Sequence, residues 1–301
     1  MSRIQRVLAA TDLSAPARHA AERAARVARE LGAALALLHV ISATPLERLR
    51  RLVATGRDDV HARIETSIRE EIDRLAERLR SLDERDTQVL VATGNLGDEI
   101  RRLEAARQVD LLVVGSRGAG FLRHRILGTT AERLVRGTAT PVLVVKQPAH
   151  ESYRRMLVAV DFTPTSRHAL NVARTIAPAA ELVVLHAYTV PFEEWMRPGD
   201  VGARTLDHYR KAARRDASAD LLALQQATAV PPGTAAALLL EGDPSIRICE
   251  QEQVRDCDLI VVGKQGESPL EQFLIGSATQ HVLQESQADV LVVPGPVDPA
   301  A

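Results

Sequence analysis

The chain has 301 residues, 46% of them hydrophobic and 26% charged, and its 38 Lys and Arg against 39 Asp and Glu leave a formal net charge of -1. That is enough apolar residue for two soluble cores, and the near-neutral balance argues against a nucleic-acid binder, which must neutralise many phosphates with clustered cations. No apolar run reaches membrane-spanning length and the start MSRIQR lacks a signal-peptide core, so a cytoplasmic protein with no membrane partner is expected.

In chain order, RVLAATD, ALALLHVI around His39, TQVLVAT before Gly94, VDLLVVG and PVLVVK read as strands. They are Val-, Leu- and Ala-rich runs too continuous to alternate, as in a parallel sheet covered on both faces. Helical patterns lie between them at 16–31, 46–82, 98–108 and 130–136; the second of these is long and charged and reads as a solvated face. Strands alternating with helices make an open α/β sheet. Ser14 precedes Ala15 and Pro16, and Thr163 precedes Pro164, so each hydroxyl is placed to cap a helix whose first turn tolerates proline.

The same order recurs in the second half, with strands near Met156, Leu182, Ala236, Leu259 and Val290. RVLAATDLSAPARHA near the start matches RMLVAVDFTPTSRHA, LLHV ending at Val40 matches VLHA ending at Ala187, and PVLVV matches DVLVV. Gly115 and Gly263 stand 148 residues apart, a spacing that suits a duplicated domain rather than a solenoid unit. The expected domains are 1–147 and 153–295, joined within KQPAHESYRR and followed by a frayed Pro-rich tail.

Each half carries Gly, two residues, Gly, nine residues, Gly, then Thr or Ser: GSRGAGFLRHRILGTT from Gly115 and GKQGESPLEQFLIGSAT from Gly263. Both segments follow a buried-type strand and lead into a helical pattern, which is where backbone N–H groups cradle phosphate. In an open α/β sheet a ligand lies beyond the strand ends where strand order reverses, so Asp12 after the first strand and Gly115 after the fourth are expected to converge. Gly115 and Gly118 permit close backbone approach, and Gly128, Thr129 and Thr130 open a helix toward the anion. Asp12 and Asp161 have a second reading, as turn stabilisers. His39 and His186 read as satisfied core histidines, His19 and His168 as structural, and Cys249 and Cys257 as buried thiols without a metal or redox spacing.

The order of strand, Asp, Ser or Thr and helix, the LLHV strand, the spaced glycines and the final PVLVV strand resemble the universal stress protein family in its tandem form. The resemblance covers nearly the whole chain. It implies two Rossmann-like, adenine nucleotide alpha hydrolase-like domains, each a five-stranded parallel sheet in order 3-2-1-4-5 with helices on both faces. It also implies ATP, or AMP or ADP, with Mg2+. Asp12 would meet the adenine or ribose end, the backbone at Val40 the adenine edge, and Gly115, Arg117, Gly118, Gly128, Thr129 and Thr130 the phosphates. The second set would be Asp161, Ala187, Gly263, Lys264, Gly266, Gly276 and Ser277. The last strands, Val142 to Val145 and Val290 to Val293, would pair the two domains as an intramolecular pseudo-dimer, and homodimerisation is a further expectation.

Between Gly115 and Gly128 stand Arg117, Arg123, His124 and Arg125 without an acid, whereas the second loop combines Lys264 with Glu267 and Glu271. The first site is therefore expected to favour ATP and the second to be weaker or directed to AMP or ADP. No P-loop, nucleophile elbow or HExxH motif occurs. A backbone cradle with no base should hold ATP rather than split it, with slow hydrolysis left open. The leading expectation is a stress-response protein that senses adenine nucleotide by ordering of the 118–128 loop. A nucleotide-independent scaffold and a slow ATPase are the alternatives.

Overall fold

The computed structural model describes residues 4–42, 59–83, 86–118, 127–190, 203–228, 235–264 and 275–296. The chain divides into two compact units, Met1–Ser152 and Tyr153–Ala301. In the first, β1 (Arg6–Ala10), β2 (Ala34–Ser42), β3 (Gln88–Gly94), β4 (Leu111–Gly115) and β5 (Val142–Val145) alternate with α1 (Ala15–Leu31), α2 (Asp59–Asp83), α3 (Leu96–Ala105) and α4 (Thr129–Gly137). Their sheet order is β3-β2-β1-β4-β5 with every pair parallel.

The second unit repeats this plan. Strands β6 (Arg155–Ala159), β7 (Glu181–Tyr188), β8 (Ala235–Glu241), β9 (Leu259–Gly263) and β10 (Asp289–Val293) lie in the order β8-β7-β6-β9-β10, again all parallel. Its helices are α5 (Pro164–Ile176), α6 (Ala203–Ala227), α7 (Pro244–Arg255) and α8 (Ser277–Glu285). The long charged pattern expected from residue 46 is helical from Asp59, and its first residues lie outside the described set.

The continuous apolar runs are buried because helices cover both faces: β4, β5 and β10 are almost wholly enclosed, while β3 and β8 at the sheet edges are only half-buried. Helix α1 lies close on the sheet because its inner face is mostly alanine, with Ala17, Ala20, Ala21, Ala24, Ala25 and Ala28 buried. Ser14 caps it by accepting the Ala17 N–H, and Gly32 ends it at φ 66°. Thr163 caps α5 in the same way through Ser166.

Another face of α1 holds the segment after β5. Arg23, only 6% exposed, donates to the Glu151 carbonyl at 2.8 Å, and Arg26 donates to that of Ala149 at 3.0 Å. Ser152 bonds Glu30 one turn further on. In the second unit the buried Tyr153 hydroxyl donates to Asp289 at 2.7 Å, which satisfies a carboxylate with 0% exposure inside β10.

Candidate functional site

The first unit contains a cavity of about 900 Å³, walled by the carboxyl ends of β1 to β4 and by the first residues of α1, α3 and α4. It sits where β1 and β4 are neighbours and strand order reverses, the place an open α/β sheet reserves for ligands. Asp12, Val40, Gly115, Arg117, Gly118, Gly128, Thr129 and Thr130 all line it, so residues scattered over more than a hundred positions meet at one wall.

The turn from β1 into α1 is fixed by its own side chains. Strand β1 stops at Ala10, and Leu13 turns the chain with φ 65°, a left-handed conformation costing about 1–2 kcal/mol for a residue with a Cβ. Thr11 Oγ1 accepts the Leu13 N–H at 3.0 Å and Asp12 Oδ1 accepts the Ser14 N–H at 3.1 Å. The second unit is built alike: Phe162 has φ 65°, and Asp161 Oδ1 accepts both the N–H and the hydroxyl of Thr163. In the first unit Asp12 holds the turn with one oxygen and stands at the cavity wall.

The glycines divide the work. A Cβ at Gly115 would fall 2.9 Å from the Pro16 carbonyl oxygen and 3.2 Å from the Ala17 nitrogen, so this glycine admits the start of α1. A Cβ at Gly118 would fall 2.8 Å from Asp12 Oδ2, so that glycine brings the β4 turn against the aspartate. Gly128 donates its N–H to the Ser116 carbonyl at 2.7 Å, which closes the motif onto the end of β4. Gly115 thus lets helix α1 pack closely and also lines the cavity.

Among helices beginning at the cavity, α1 is capped by Ser14 and α3 by Asn95, which accepts the N–H groups of Gly97 and Asp98. Helix α4 begins at Gly128 with no side-chain cap. Among the described residues no side chain caps its first-turn N–H groups, which lie at the positive end of its dipole. Cavity-lining Asn95 and Gly97, and Arg133 on α4, were not anticipated as site residues. The available signal for the first two was an Asn N-cap immediately after a strand ending in Gly94.

In the second unit Gly276 opens α8, also without a side-chain cap, and its N–H bonds the Lys264 carbonyl at 3.0 Å. Ser277 is exposed at the start of that helix, and half-buried Ala187 lies on β7 as Val40 does on β2. Lys264 was expected to offer a loop cation. Instead it is 6% exposed and stands at the position of buried Ser116, not of exposed Arg117. Gly266, Arg123, His124, Arg125, Glu267 and Glu271 lie outside the described residues, and so does the charge contrast between the two loops.

His39 and His186 are half-buried in their strands and bond the carbonyls of Thr11 at 2.8 Å and Val160 at 2.7 Å through Nδ1. A carbonyl only accepts, so Nδ1 carries the proton and each ring ties β2 or β7 to the end of β1 or β6. His168 is half-buried on α5, and burial lowers its pKa. Cys257 is buried and its thiol is pushed up to about 11 by that burial. No group of three His, Cys, Asp or Glu able to hold a metal occurs among the described residues. No helix among them is long and apolar enough to cross a membrane.

Comparison with known proteins follows the same division. A universal stress protein of Mycolicibacterium smegmatis is 27% identical over 198 residues, 64% of this chain and 64% of its own length. One from Mycobacterium tuberculosis is 28% identical over 211 residues, 65% of this chain and 62% of its own. The chain thus matches a little under two thirds of the length of these relatives. The crystal structure of a universal stress protein from Archaeoglobus fulgidus superposes with a TM-score of 0.66 at 18% identity, covering 97% of this chain and 98% of that one, a likeness of fold. The sequence profile described as Universal stress protein family matches twice, at residues 3–146 and 152–294. With both halves accounted for by one profile and one sheet order, the chain belongs to the universal stress protein family as a tandem of two such domains.

Proposed function

We propose that the first-unit cavity binds an adenine nucleotide, ATP in preference, and that occupancy acts as a sensor or switch in a stress response. The observation that carries this reading is the uncapped start of α4 at Gly128, facing a cavity in which the other two helix starts are already capped by side chains. The first-turn N–H groups of a helix without a side-chain cap, with the partial positive charge there, suit phosphate, and the volume lies within the roughly 300–1,000 Å³ of small-molecule sites.

Among the described residues of the wall Asp12 is the only carboxylate, Arg117 and Arg133 are the cations, and no histidine occurs. That set can hold a phosphate chain but offers no base poised to activate water, which favours binding over turnover. Mg2+ would arrive with the phosphates, since it binds through substrate oxygens and one or two carboxylates. The second unit, with Asp161, Gly276 and Ser277 in equivalent places, would take AMP or ADP or bind more weakly.

Titration calorimetry of MgATP into nucleotide-stripped protein tests this, with Gly118→Val as control because its side chain would collide with Asp12. The expected result is one or two sites, one of them lost in the variant. No binding, or binding untouched by the substitution, overturns the reading.

A further inference from the structure

Helices α3 and α4 begin at the cavity of the first unit, and their counterparts in the second, α7 and α8, begin with different charges. In the first unit Asn95 and Gly97 from the start of α3 line the same cavity as Thr130 and Arg133 from the first turns of α4. Thr130 and Arg133 are three residues apart and share a helix face. The exposed Arg133 makes no hydrogen bond or ion pair among the described residues, and its neighbour Glu132 is engaged with Arg136 at 3.1 Å.

Counting 148 residues on, Asn95, Gly97 and Arg133 become Asp243, Ser245 and His281. Asp243 Oδ1 accepts the N–H of Ser245 at 2.8 Å, the N–H of Ile246 at 3.3 Å and the Ser245 hydroxyl. The Ser245 hydroxyl, above all, holds this carboxyl below its usual value, and the charge of nearby His281 acts in the same direction. Arg247 turns back onto the Glu241 carbonyl at 2.8 Å and onto Glu250 at 2.7 Å, leaving Asp243 as the ionised group on the start of α7. The neutral cap and arginine of the first unit are replaced by a carboxylate and a histidine.

We propose that Arg133 sets the phosphate count preferred by the first cavity by engaging the distal phosphates of a nucleoside polyphosphate, and that Asp243 and His281 turn the second unit toward nucleotides with fewer phosphates. This inference rests on the nucleotide reading above. Every phosphate added to a ligand increases its attraction to an unengaged guanidinium and its repulsion from a fixed carboxylate, whereas the nucleoside moiety is indifferent to both.

The test compares ATP, ADP, AMP and adenosine by calorimetry on the full chain, unmodified and as Arg133→Gln and Arg133→Lys. Glutamine should weaken ATP roughly tenfold, the scale of one charge-assisted contact, weaken AMP less and leave adenosine unchanged. Lysine, which keeps the charge, should restore part of the ATP affinity. The exposed side chain makes an unchanged melting temperature the folding control. Equal losses for adenosine and ATP, or no loss for ATP, overturn the role of Arg133 while leaving the nucleotide site standing. Absence of any nucleotide binding by the unmodified chain overturns both. In a second arm, Asp243→Asn combined with His281→Arg should tighten or add a weaker ATP site. An unchanged isotherm overturns the assignment of the second unit.

Discussion

Gly115 and Gly118 stand in one motif yet should fail in different ways when replaced by alanine. At Gly115 the new Cβ would lie 2.9, 3.0 and 3.2 Å from backbone atoms of Pro16 and Ala17, which cannot move without displacing the start of α1. Overpacking of that kind costs about 1–3 kcal/mol, and the reduced freedom of the unfolded chain returns about 0.4–1. A net loss of about 1–2 kcal/mol in a domain of this size lowers the melting temperature by about 2–8 °C. At Gly118 the conflict, at 2.8 Å, is with the carboxylate tip of Asp12, which can rotate aside. Stability should change by less than about 1 kcal/mol, while nucleotide affinity falls because the wall itself has moved. Differential scanning calorimetry and nucleotide titration on both variants separate the effects. Equal destabilisation by the two substitutions, or none by Gly115→Ala, would refute the packing argument.

Two further outcomes follow from buried groups. Glu252, 3% exposed, accepts the N–H groups of Gln287 and Ala288 at 2.7 and 2.6 Å, whereas its counterpart Glu104 accepts only that of Thr140 at 3.1 Å and is less buried. Glu252→Ala should therefore cost about 2–4 kcal/mol in urea denaturation and Glu104→Ala about 1, and a reversed order would contradict the role assigned to the loop before the last strand. With its thiol pushed up to about 11, Cys257 carries almost no thiolate at pH 8 and should resist alkylation in the folded chain, reacting only on unfolding. Fast native-state labelling traced to Cys257 by mass spectrometry would contradict its burial.

The sheet and the first helix of each half were legible because strand runs, hydroxyl caps and prolines are local signals that packing reinforces. The cavity wall was legible through the strand ends, since Asp12 and Gly115 can meet only at the reversal of strand order. Other features have no local signature. Leu13 and Phe162 take a conformation that bulky residues avoid, imposed by the hydrogen bonds of their turns. The bonds of Glu104 and Glu252 carry no sequence signal, because periodicity does not reveal which polar residue meets a loop of bare N–H groups. The burial of Lys264 was not legible because glycine spacing fixes a residue's place along the chain and not the direction of its side chain. Arg133 lay one turn beyond the motif, where only the helix geometry shows that it shares a face with Thr130.

The grip of α1 on residues 149–152 determines how the two repeats can be separated. Cutting after Lys146, where the last strand of the first sheet has just ended, would leave Arg23 and Arg26 on a helix already committed to the core, their carbonyl acceptors gone. Removing a hydrogen-bond acceptor from a buried guanidinium is costlier than exposing a few residues of tail. A first repeat released after Ser152 would keep its own acceptors, and a second repeat beginning at Tyr153 would keep the hydroxyl that satisfies Asp289. Residues on either side of the division are thus already claimed by the unit they belong to, which fixes where a cut can fall.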